Sequence, residues 1–238
     1  MKDSAIVVCL HGNELFSLEV INKISKNIPV FIGNPLAIEK KTRYIDIDLN
    51  RAFPGKKDGN YEEKRAFYLF NELKKFKYII DIHSSSSDTE IFGIITKPNK
   101  DKLDLAKKLG IQKLVIMPQE FSKGKSLIDN VDCGISLEVG PHEKKENVEE
   151  IIKIINNLTN GVINNSTTIN IFRVFDIIKG EDNVKFYINN FKNVNKGDLI
   201  AEGKEKKYYA EFDFIPIFIG ERAYKGILCL ATKKEDSI

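Results

Sequence analysis

The sequence predicts an α/β fold, a sheet flanked by helices, with a smaller β-rich domain at its C-terminal end. Short apolar runs alternate with amphipathic helical patterns through about the first two-thirds of the 238 residues. Beyond about residue 160 the helical patterns stop, and strand-like runs separated by Gly, Asn and Lys follow. Alternating strands and helices indicate a sheet with helices on both faces. We therefore expect an α/β domain at residues 1–160 and a β-rich domain at residues 161–238.

The strand candidates of the first part are rich in Ile and Val and are bounded by Gly, Pro, Asn or charged residues. They are residues 5–10, 29–33, 44–48, 78–83, 91–96, 113–117 and 134–139. The helix candidates carry apolar side chains on one face, as Leu15, Leu18 and Ile21 do in the first of them. They are residues 14–26, 62–76, 101–109 and 144–157. In the second part the strand candidates are residues 168–178, 185–190, 199–201, 208–214 and 227–232, and residues 164–166 are a candidate linker.

Composition and charge are those of an ordinary soluble globular protein. The chain has 37 basic and 34 acidic residues and a net charge of +3, and its lysines are scattered. We therefore expect no nucleic-acid partner. The first apolar stretch is too short for a signal peptide or a membrane span, and the three cysteines include no C-x-x-C pair. These features predict a cytoplasmic protein with no membrane partner, and they leave a homo-oligomer open.

Two of the three histidines follow predicted strands. His11 ends the first apolar run and has Glu14 three residues later, and His83 ends the run at residues 78–83. In an open α/β sheet, ligands bind at the carboxyl ends of the strands. Two imidazoles and one carboxylate are typical of catalytic zinc sites, which keep one position open. We expect His11, Glu14 and His83 to bind one Zn²⁺ per chain, although cobalt or manganese would fit the same donors.

Other polar residues complete a candidate catalytic site. Asp81 shares a strand face with His83 and can orient that imidazole. Glu138 has apolar neighbours on both sides in a predicted strand, and near a metal ion it can take a proton from the attacking water and later deliver it to the leaving amine. Arg51 follows Asn50 directly, and its guanidinium can bind a carboxylate through two hydrogen bonds. For each residue taken alone, an ordinary strand end or a surface salt bridge is the alternative.

Several segments, in their order and approximate spacing, resemble the aspartoacylase and succinylglutamate desuccinylase family, a branch of the zinc carboxypeptidase-like hydrolases. They are His11-Gly12-Asn13-Glu14, Asn34-Pro35 with Ala37, residues 42–51, Asp81-Ile82-His83, and Glu138-Val139-Gly140-Pro141. The resemblance implies a zinc-carboxypeptidase-like mixed sheet followed by a smaller β domain. It also implies a zinc-dependent hydrolase that releases a carboxylate and a free amino acid from an N-acyl amino acid.

The same resemblance implies roles for single residues. Arg43 would polarise the scissile carbonyl together with zinc, and Glu138 would be the general base and acid. Asn50 and Arg51 would hold the α-carboxylate of the substrate. Tyr224 would also reach the substrate, because residues 215–224 resemble the family segment that carries a substrate-contacting tyrosine.

One departure from the family pattern concerns the substrate. Aspartoacylases have a further arginine several residues before the general base, which binds the acidic side chain of the amino acid. Residues 121–133 contain no arginine, but they include Lys123 and Lys125. A lysine supplies charge without the planar fork of arginine, so we expect Lys125 to contact the substrate, and the substrate need not be acetylaspartate. A carboxypeptidase-like enzyme, another small-amide deacylase and a non-enzymatic metal-binding protein are the alternatives.

Overall fold

The computed structural model describes residues 3–24, 28–141, 146–160 and 168–237. Its strands are β1 (Ser4–Val8), β2 (Val30–Ile32), β3 (Tyr78–Ser85), β4 (Phe92–Ile95), β5 (Lys113–Ile116), β6 (Cys133–Pro141), β7 (Asn170–Lys179), β8 (Lys185–Phe186), β9 (Leu199–Glu202), β10 (Lys207–Tyr209), β11 (Ile215–Ile217) and β12 (Ile227–Glu235). Its α-helices are α1 (Phe16–Ile21), α2 (Pro35–Glu39), α3 (Tyr61–Leu73), α4 (Lys100–Leu109) and α5 (Glu146–Asn160). Short 3-10 helices lie at Leu49–Arg51, Gln119–Phe121 and Leu127–Asp129. In the described parts of the chain, no helix is both long enough and apolar enough to cross a membrane.

The centre of the molecule is a mixed sheet. Within the described residues it has nine strands in the order β11-β12-β7-β5-β4-β6-β3-β1-β2. Strand β1 is parallel to β2 and β3, β3 is parallel to β6, and β4 runs antiparallel to β6. The predicted α/β class with a mixed sheet is therefore confirmed. Because β1, β3 and β6 run in the same direction, their carboxyl ends meet at one end of the sheet.

The alternating directions of the side chains along β1 explain why helices cover both faces of this sheet. Ala5 and Val7 belong to one apolar cluster, which includes the buried side chains of α3. Ile6 and Val8 belong to another cluster, which includes those of α1, α4 and α5. Successive side chains of a strand point to opposite faces, so a strand with apolar residues at consecutive positions must be covered on both sides. All five residues of β1 are indeed buried.

Helix α3 shows how local sequence fixes one of these covering layers. Its first turn is a capping box, in which the Asn60 side chain accepts from the Glu63 N–H at 2.9 Å and the Glu63 carboxylate accepts from the Asn60 N–H at 3.0 Å. Ala66, Leu69 and Leu73 follow at helical spacing and are fully buried against the sheet. The same face begins with a buried glutamate, Glu62, which faces the loop before the helix.

The C-terminal part is rich in β structure, as predicted, and residues 168–237 contain no helix. Strand β7 pairs in parallel with β5, so β7, β12 and β11 extend the large sheet. Strands β8, β9 and β10 form a separate small antiparallel sheet. The domain boundary after residue 160 stays a prediction, because residues 161–167, which include the predicted linker, lie outside the described residues.

Several local predictions differ from the structure. Residues 44–48, predicted as a strand, form an irregular loop, because their N–H groups bind the Glu62 carboxylate rather than a neighbouring strand. The predicted helix at residues 14–26 is shorter, since α1 begins only at Phe16 and ends at Ile21. Helix α2 was not predicted at all, although Asn34 caps it and Pro35 occupies its first turn. The beginning of the predicted helix at residues 144–157 lies outside the described residues.

Candidate active site

His11, Glu14 and His83 lie together at the carboxyl ends of β1 and β3. His11 follows β1, Glu14 comes three residues later, before α1, and His83 lies in the neighbouring strand. One nitrogen of each imidazole and one carboxylate oxygen all lie within 4.8 Å of one another. The three side chains are buried. The structure therefore brings together the three predicted metal ligands.

Each imidazole turns its Nδ1 toward Glu14 and its Nε2 toward an aspartate. His11 Nδ1 is 2.7 Å from one oxygen of Glu14, and His83 Nδ1 is 3.2 Å from the other. On the outer side, His11 Nε2 lies 3.0 Å from Asp48, and His83 Nε2 lies 2.6 Å from Asp81. An aspartate that accepts the Nε2 proton leaves Nδ1 free of a proton and able to bind a metal ion. Asp81 therefore lies where its predicted orienting role requires it. Asp48 makes the corresponding contact with His11.

The charges in this group favour an ionised carboxylate between two cations. Burial acts to raise the pKa of Glu14, but His11 and His83 outweigh it and hold this pKa well below its usual range. Burial acts to lower the pKa of His83, but Asp81 and Glu14 outweigh it and raise this pKa well above its ordinary value. Glu14 and Asp48 raise the pKa of His11 in the same way. A divalent cation would supply the same positive charge without the protons, so the donor set fits a metal ion.

Glu138 lies on β6, and in the sheet register it stands directly beside His83 on β3. Its partner on the other side is Phe92 of β4. Burial raises the pKa of the Glu138 carboxyl to about 7, with the neighbouring carboxylates of Glu14 and Glu221 adding to the rise and His83 opposing it. A carboxyl whose pKa lies near neutrality can both accept a proton and return it at neutral pH.

Glu62 fixes the loop that carries Arg43 and Asp48. Its fully buried carboxylate accepts hydrogen bonds from the N–H groups of residues 45, 46 and 47 at 2.7, 2.9 and 3.3 Å, and from the side-chain amide of Asn34 at 3.1 Å. Arg43 in turn donates to Asp48 at 3.1 Å, and the same guanidinium nitrogen lies 2.9 Å from His11 Nε2. Glu62 was not among the predicted site residues. Its position on the apolar face of a predicted helix was the available signal, because a glutamate there needs buried partners.

Gly12 allows the His11 loop to approach helix α2. A Cβ atom at residue 12 would lie 2.2 Å from the carbonyl carbon of Ala37. Asn34 holds the start of α2 in place by accepting from the Ala37 N–H at 3.2 Å, with Pro35 next to it in the first turn. The His-Gly and Asn-Pro-x-Ala segments are therefore one packing unit that positions His11.

Glu221 connects the loop of Tyr224 to the end of β3. Its carboxylate accepts from the Ser86 N–H at 2.8 Å and from the Ala223 N–H at 2.9 Å. Burial raises the pKa of the Tyr224 hydroxyl, and Arg51 opposes this rise. The Tyr224 hydroxyl therefore stays neutral and can both donate and accept a hydrogen bond. Periodicity in the sequence gives no signal for Glu221, since its partners are far away along the chain.

Two cavities meet at this group of residues. The metal cavity, with a volume of about 50 Å³, is lined by His11, Glu14, Arg43 and Glu221 among others. The apolar cavity, with a volume of about 440 Å³, is lined by the apolar side chains of Ile94, Met117, Phe121, Ile128, Ile177, Ile227 and Leu230, together with Thr96, Ser122, Ser126 and Ser136 among others. Asn50, Arg51, His83, Glu138 and Tyr224 line both cavities. These shared residues form the boundary between the two spaces.

The residues predicted to bind substrate differ in where the structure places them. Asn50 and Arg51 line both cavities. The Asn50 side chain accepts from the Leu127 N–H at 2.9 Å, and Arg51 donates to the Asn50 carbonyl at 2.7 Å. Lys125 is exposed and lines neither cavity, and its carbonyl binds the Phe53 N–H at 3.2 Å. The structure therefore does not bring Lys125 to the site.

A family model described as the succinylglutamate desuccinylase/aspartoacylase catalytic domain matches residues 1–164. This match covers more than half of the chain. The chain belongs to this family. The predicted family is thus confirmed, and with it the predicted class of enzyme, a hydrolase of non-peptide amide bonds.

Individual relatives extend the similarity over the whole chain. A probable aspartoacylase of Prochlorococcus marinus (strain MIT 9515) is 30% identical over 278 residues, which cover 97% of this chain and 93% of the relative. An N-acyl-aromatic-L-amino acid amidohydrolase (carboxylate-forming) of Xenopus tropicalis is 26% identical over 275 residues, which cover 95% and 88%. The crystal structure of murine aminoacylase 3 has a TM-score of 0.79 at 19% identity and covers 99% of this chain and 96% of its own. At that identity it supports the fold alone.

Proposed function

We propose that this chain is a zinc-dependent hydrolase that cleaves the amide bond of an N-acyl amino acid. The observation that carries the proposal is the buried group of His11, Glu14 and His83, with Glu138 and Arg43 beside it. Family membership supports the same reaction. Because the three cysteines are buried thiols, we also place the enzyme in a reducing compartment, the cytoplasm.

Zinc is the metal that the donor set favours. Two imidazole nitrogens and one carboxylate oxygen are the protein ligands of many catalytic zinc sites, which leave one position open. Asp48 and Asp81 hold the outer nitrogens of the two imidazoles, a feature that fixes the tautomer and strengthens binding. When bound, zinc would polarise the scissile carbonyl and lower the pKa of the attacking water.

Glu138 is the proton carrier of the proposed reaction. It lies on β6 beside the ligand His83 and lines both cavities, so it can reach a water molecule and the scissile nitrogen in turn. It accepts a proton from the attacking water and returns it to the leaving nitrogen, which makes the amine a neutral leaving group. Its pKa of about 7 suits both steps.

Arg43 and Arg51 would each stabilise negative charge at a different part of the substrate. Arg43 lines the metal cavity, where a fixed cation stabilises the negative charge that builds on the carbonyl oxygen. Arg51 lies at the boundary of the cavities, next to Asn50, and its fork can bind the α-carboxylate. A substrate held at both ends presents its amide bond to Glu138.

The test is hydrolysis by the zinc-loaded protein of N-formyl, N-acetyl and N-succinyl amino acids, followed as released amine. We expect release of a free amino acid, its loss after zinc is removed with a chelator, and its recovery when zinc is added back. Zinc bound at one ion per chain with no hydrolysis of any substrate, while peptides are cleaved, would replace the proposal with a carboxypeptidase-like activity.

A further inference from the structure

We infer that the substrate combines a short acyl group with a large apolar amino acid side chain. This inference rests on the proposed function and names its substrate class. It is carried by the difference between the two cavities that meet at the metal group, one small and polar, the other large and apolar.

The apolar cavity has the size and lining of a side-chain pocket. Its volume of about 440 Å³ lies within the range of ~300–1,000 Å³ that is usual for small-molecule sites. Its walls come from several strands and loops distant in sequence, and Ile94, Ile128 and Leu230 are buried parts of one hydrophobic cluster. An apolar group that enters this cavity leaves water without giving up hydrogen bonds.

The charges around this cavity disfavour an acidic side chain. Among the described residues that line it, Arg51 is the only lysine or arginine, and the proposed function assigns that group to the α-carboxylate. The lining also includes two acids, Glu138 at the boundary and the exposed Glu120, which would repel a second carboxylate. Lys125, the other candidate cation, lies outside the lining. A buried carboxylate without a partner is costly, so aspartate and glutamate derivatives should bind poorly.

The shared residues decide which end of the substrate faces which cavity. Arg51 and Glu138 line both cavities, and they contact the α-carboxylate and the scissile nitrogen in the proposed reaction. The α-carboxylate and the scissile nitrogen are both attached to the Cα atom of the amino acid. The side chain on that Cα atom therefore starts at the mouth of the apolar cavity. His11, Glu14 and Arg43 line only the metal cavity. The acyl group therefore lies on that side, in the smaller of the two cavities, and we expect formyl or acetyl groups to be preferred there over long chains.

The substrate test compares two series. In the first, the acetyl group is kept and the amino acid is phenylalanine, leucine, alanine or aspartate. In the second, phenylalanine is kept and the acyl group is formyl, acetyl, succinyl or octanoyl. We expect kcat/KM to be at least about tenfold higher for acetyl-phenylalanine and acetyl-leucine than for acetyl-aspartate, and to fall with the longer acyl groups.

Strand β7 provides a matched pair of variants. Ile177 and Ile178 are adjacent and half-buried, but Ile177 lines the apolar cavity while Ile178 packs in the cluster on the opposite face. Ile177→Trp should fill the cavity and lower kcat/KM for acetyl-phenylalanine about tenfold relative to acetyl-alanine. Ile178→Trp should leave this ratio unchanged. If circular dichroism shows that a tryptophan variant does not fold, the pair Ile177→Phe and Ile178→Phe takes its place.

Binding provides a second readout that does not depend on turnover. Calorimetric titration of the Glu138→Gln variant should show tighter binding of acetyl-phenylalanine than of acetyl-aspartate. Preferred hydrolysis of acetyl-aspartate, or equal effects of the two β7 variants, would overturn the inference and leave the proposed function standing. If no N-acyl amino acid is hydrolysed, the proposed function fails. In that case, equal or weaker binding of acetyl-phenylalanine overturns this inference as well, and tighter binding retains it.

Discussion

Replacing Glu62 with glutamine should destabilise the protein, because its carboxylate is a fully buried acceptor of four hydrogen bonds. One oxygen accepts from Asn34 and from the N–H of residue 45, and the other accepts from the N–H groups of residues 46 and 47. An NH₂ group in place of either oxygen would face two donors. A hydrogen bond to a charged group is worth ~1.5–3 kcal/mol, so the loss of two costs about 3–6 kcal/mol.

The geometry favours the lower half of this range. We expect the NH₂ group to take the position of the second oxygen, because the bond from residue 47 is already long at 3.3 Å. The expected loss in the free energy of unfolding is therefore about 3–4 kcal/mol. The activity should fall as well, since the same loop positions Arg43 and Asp48 beside His11.

Urea unfolding of Glu62→Gln, measured against wild type, gives this free energy directly. Glu63→Gln is the matched control, because Glu63 is the next residue of the same helix and, within the described residues, its carboxylate binds the Asn60 N–H and Lys56 at the surface. The control should lose clearly less stability and retain its activity. If Glu62→Gln lies within about 1 kcal/mol of wild type, or matches Glu63→Gln, the loop is not held by Glu62.

Three further predictions concern the metal group, the approach of α2 and the loop after β5. Asp81→Asn should weaken zinc binding by ~10–100-fold, measured by competition with a chromogenic chelator, since His83 loses its carboxylate partner; unchanged affinity contradicts this. Gly12→Ala should lower the free energy of unfolding by ~1–3 kcal/mol, because the new Cβ would lie 2.2 Å from the Ala37 carbonyl carbon; an unchanged melting temperature would show that the loop adjusts freely. Burial acts to raise the pKa of Asp129, but hydrogen bonds from two serines and a glutamine outweigh it and lower this pKa. Wild type should therefore be more stable than Asp129→Asn above about pH 4 and lose this advantage as pH falls through the lowered pKa; a difference that is independent of pH refutes the assignment.

The grouping of the candidate metal ligands could be predicted because parallel strands bring their carboxyl ends together. His11 and Glu14 follow β1, and His83 and Asp81 lie on the adjacent β3, so short spacings along two strands fix four positions in space. The position of Glu138 follows from the same rule, because β6 is parallel to β3. The sheet determines directly the positions of His83, Asp81 and Glu138, and it brings the loop of His11 and Glu14 to the same end.

The loop contacts could not be predicted, because they depend on partners far away in the sequence. Ile45 and Ile47 alternate with polar residues as in a strand, yet the carboxylate of Glu62 binds their N–H groups and holds an irregular loop. Tertiary context overrides strand propensity in such segments. Asp48 lies in the same loop, so its contact with His11 depends on this long-range hydrogen bonding.

The expected role of Lys125 depended on its position along the chain before Glu138. Asp129 accepts hydrogen bonds from Ser122 and Ser126 and closes a tight turn, which leaves the Lys125 side chain exposed. The apolar cavity could not be predicted either, because β4, β6, β7 and β12 each contribute only one or two of its side chains. Such a surface exists only after the sheet has formed.

The most direct test of the central claim is the turnover of Glu138→Gln at full zinc loading. Glutamine keeps the size of the side chain and lacks the carboxylate that moves the proton, so the variant should bind one zinc ion per chain and lose ~10²–10⁴-fold in kcat for an N-acyl amino acid that wild type hydrolyses. Turnover equal to that of wild type, at equal zinc content, would contradict the role of Glu138 and the mechanism built on it.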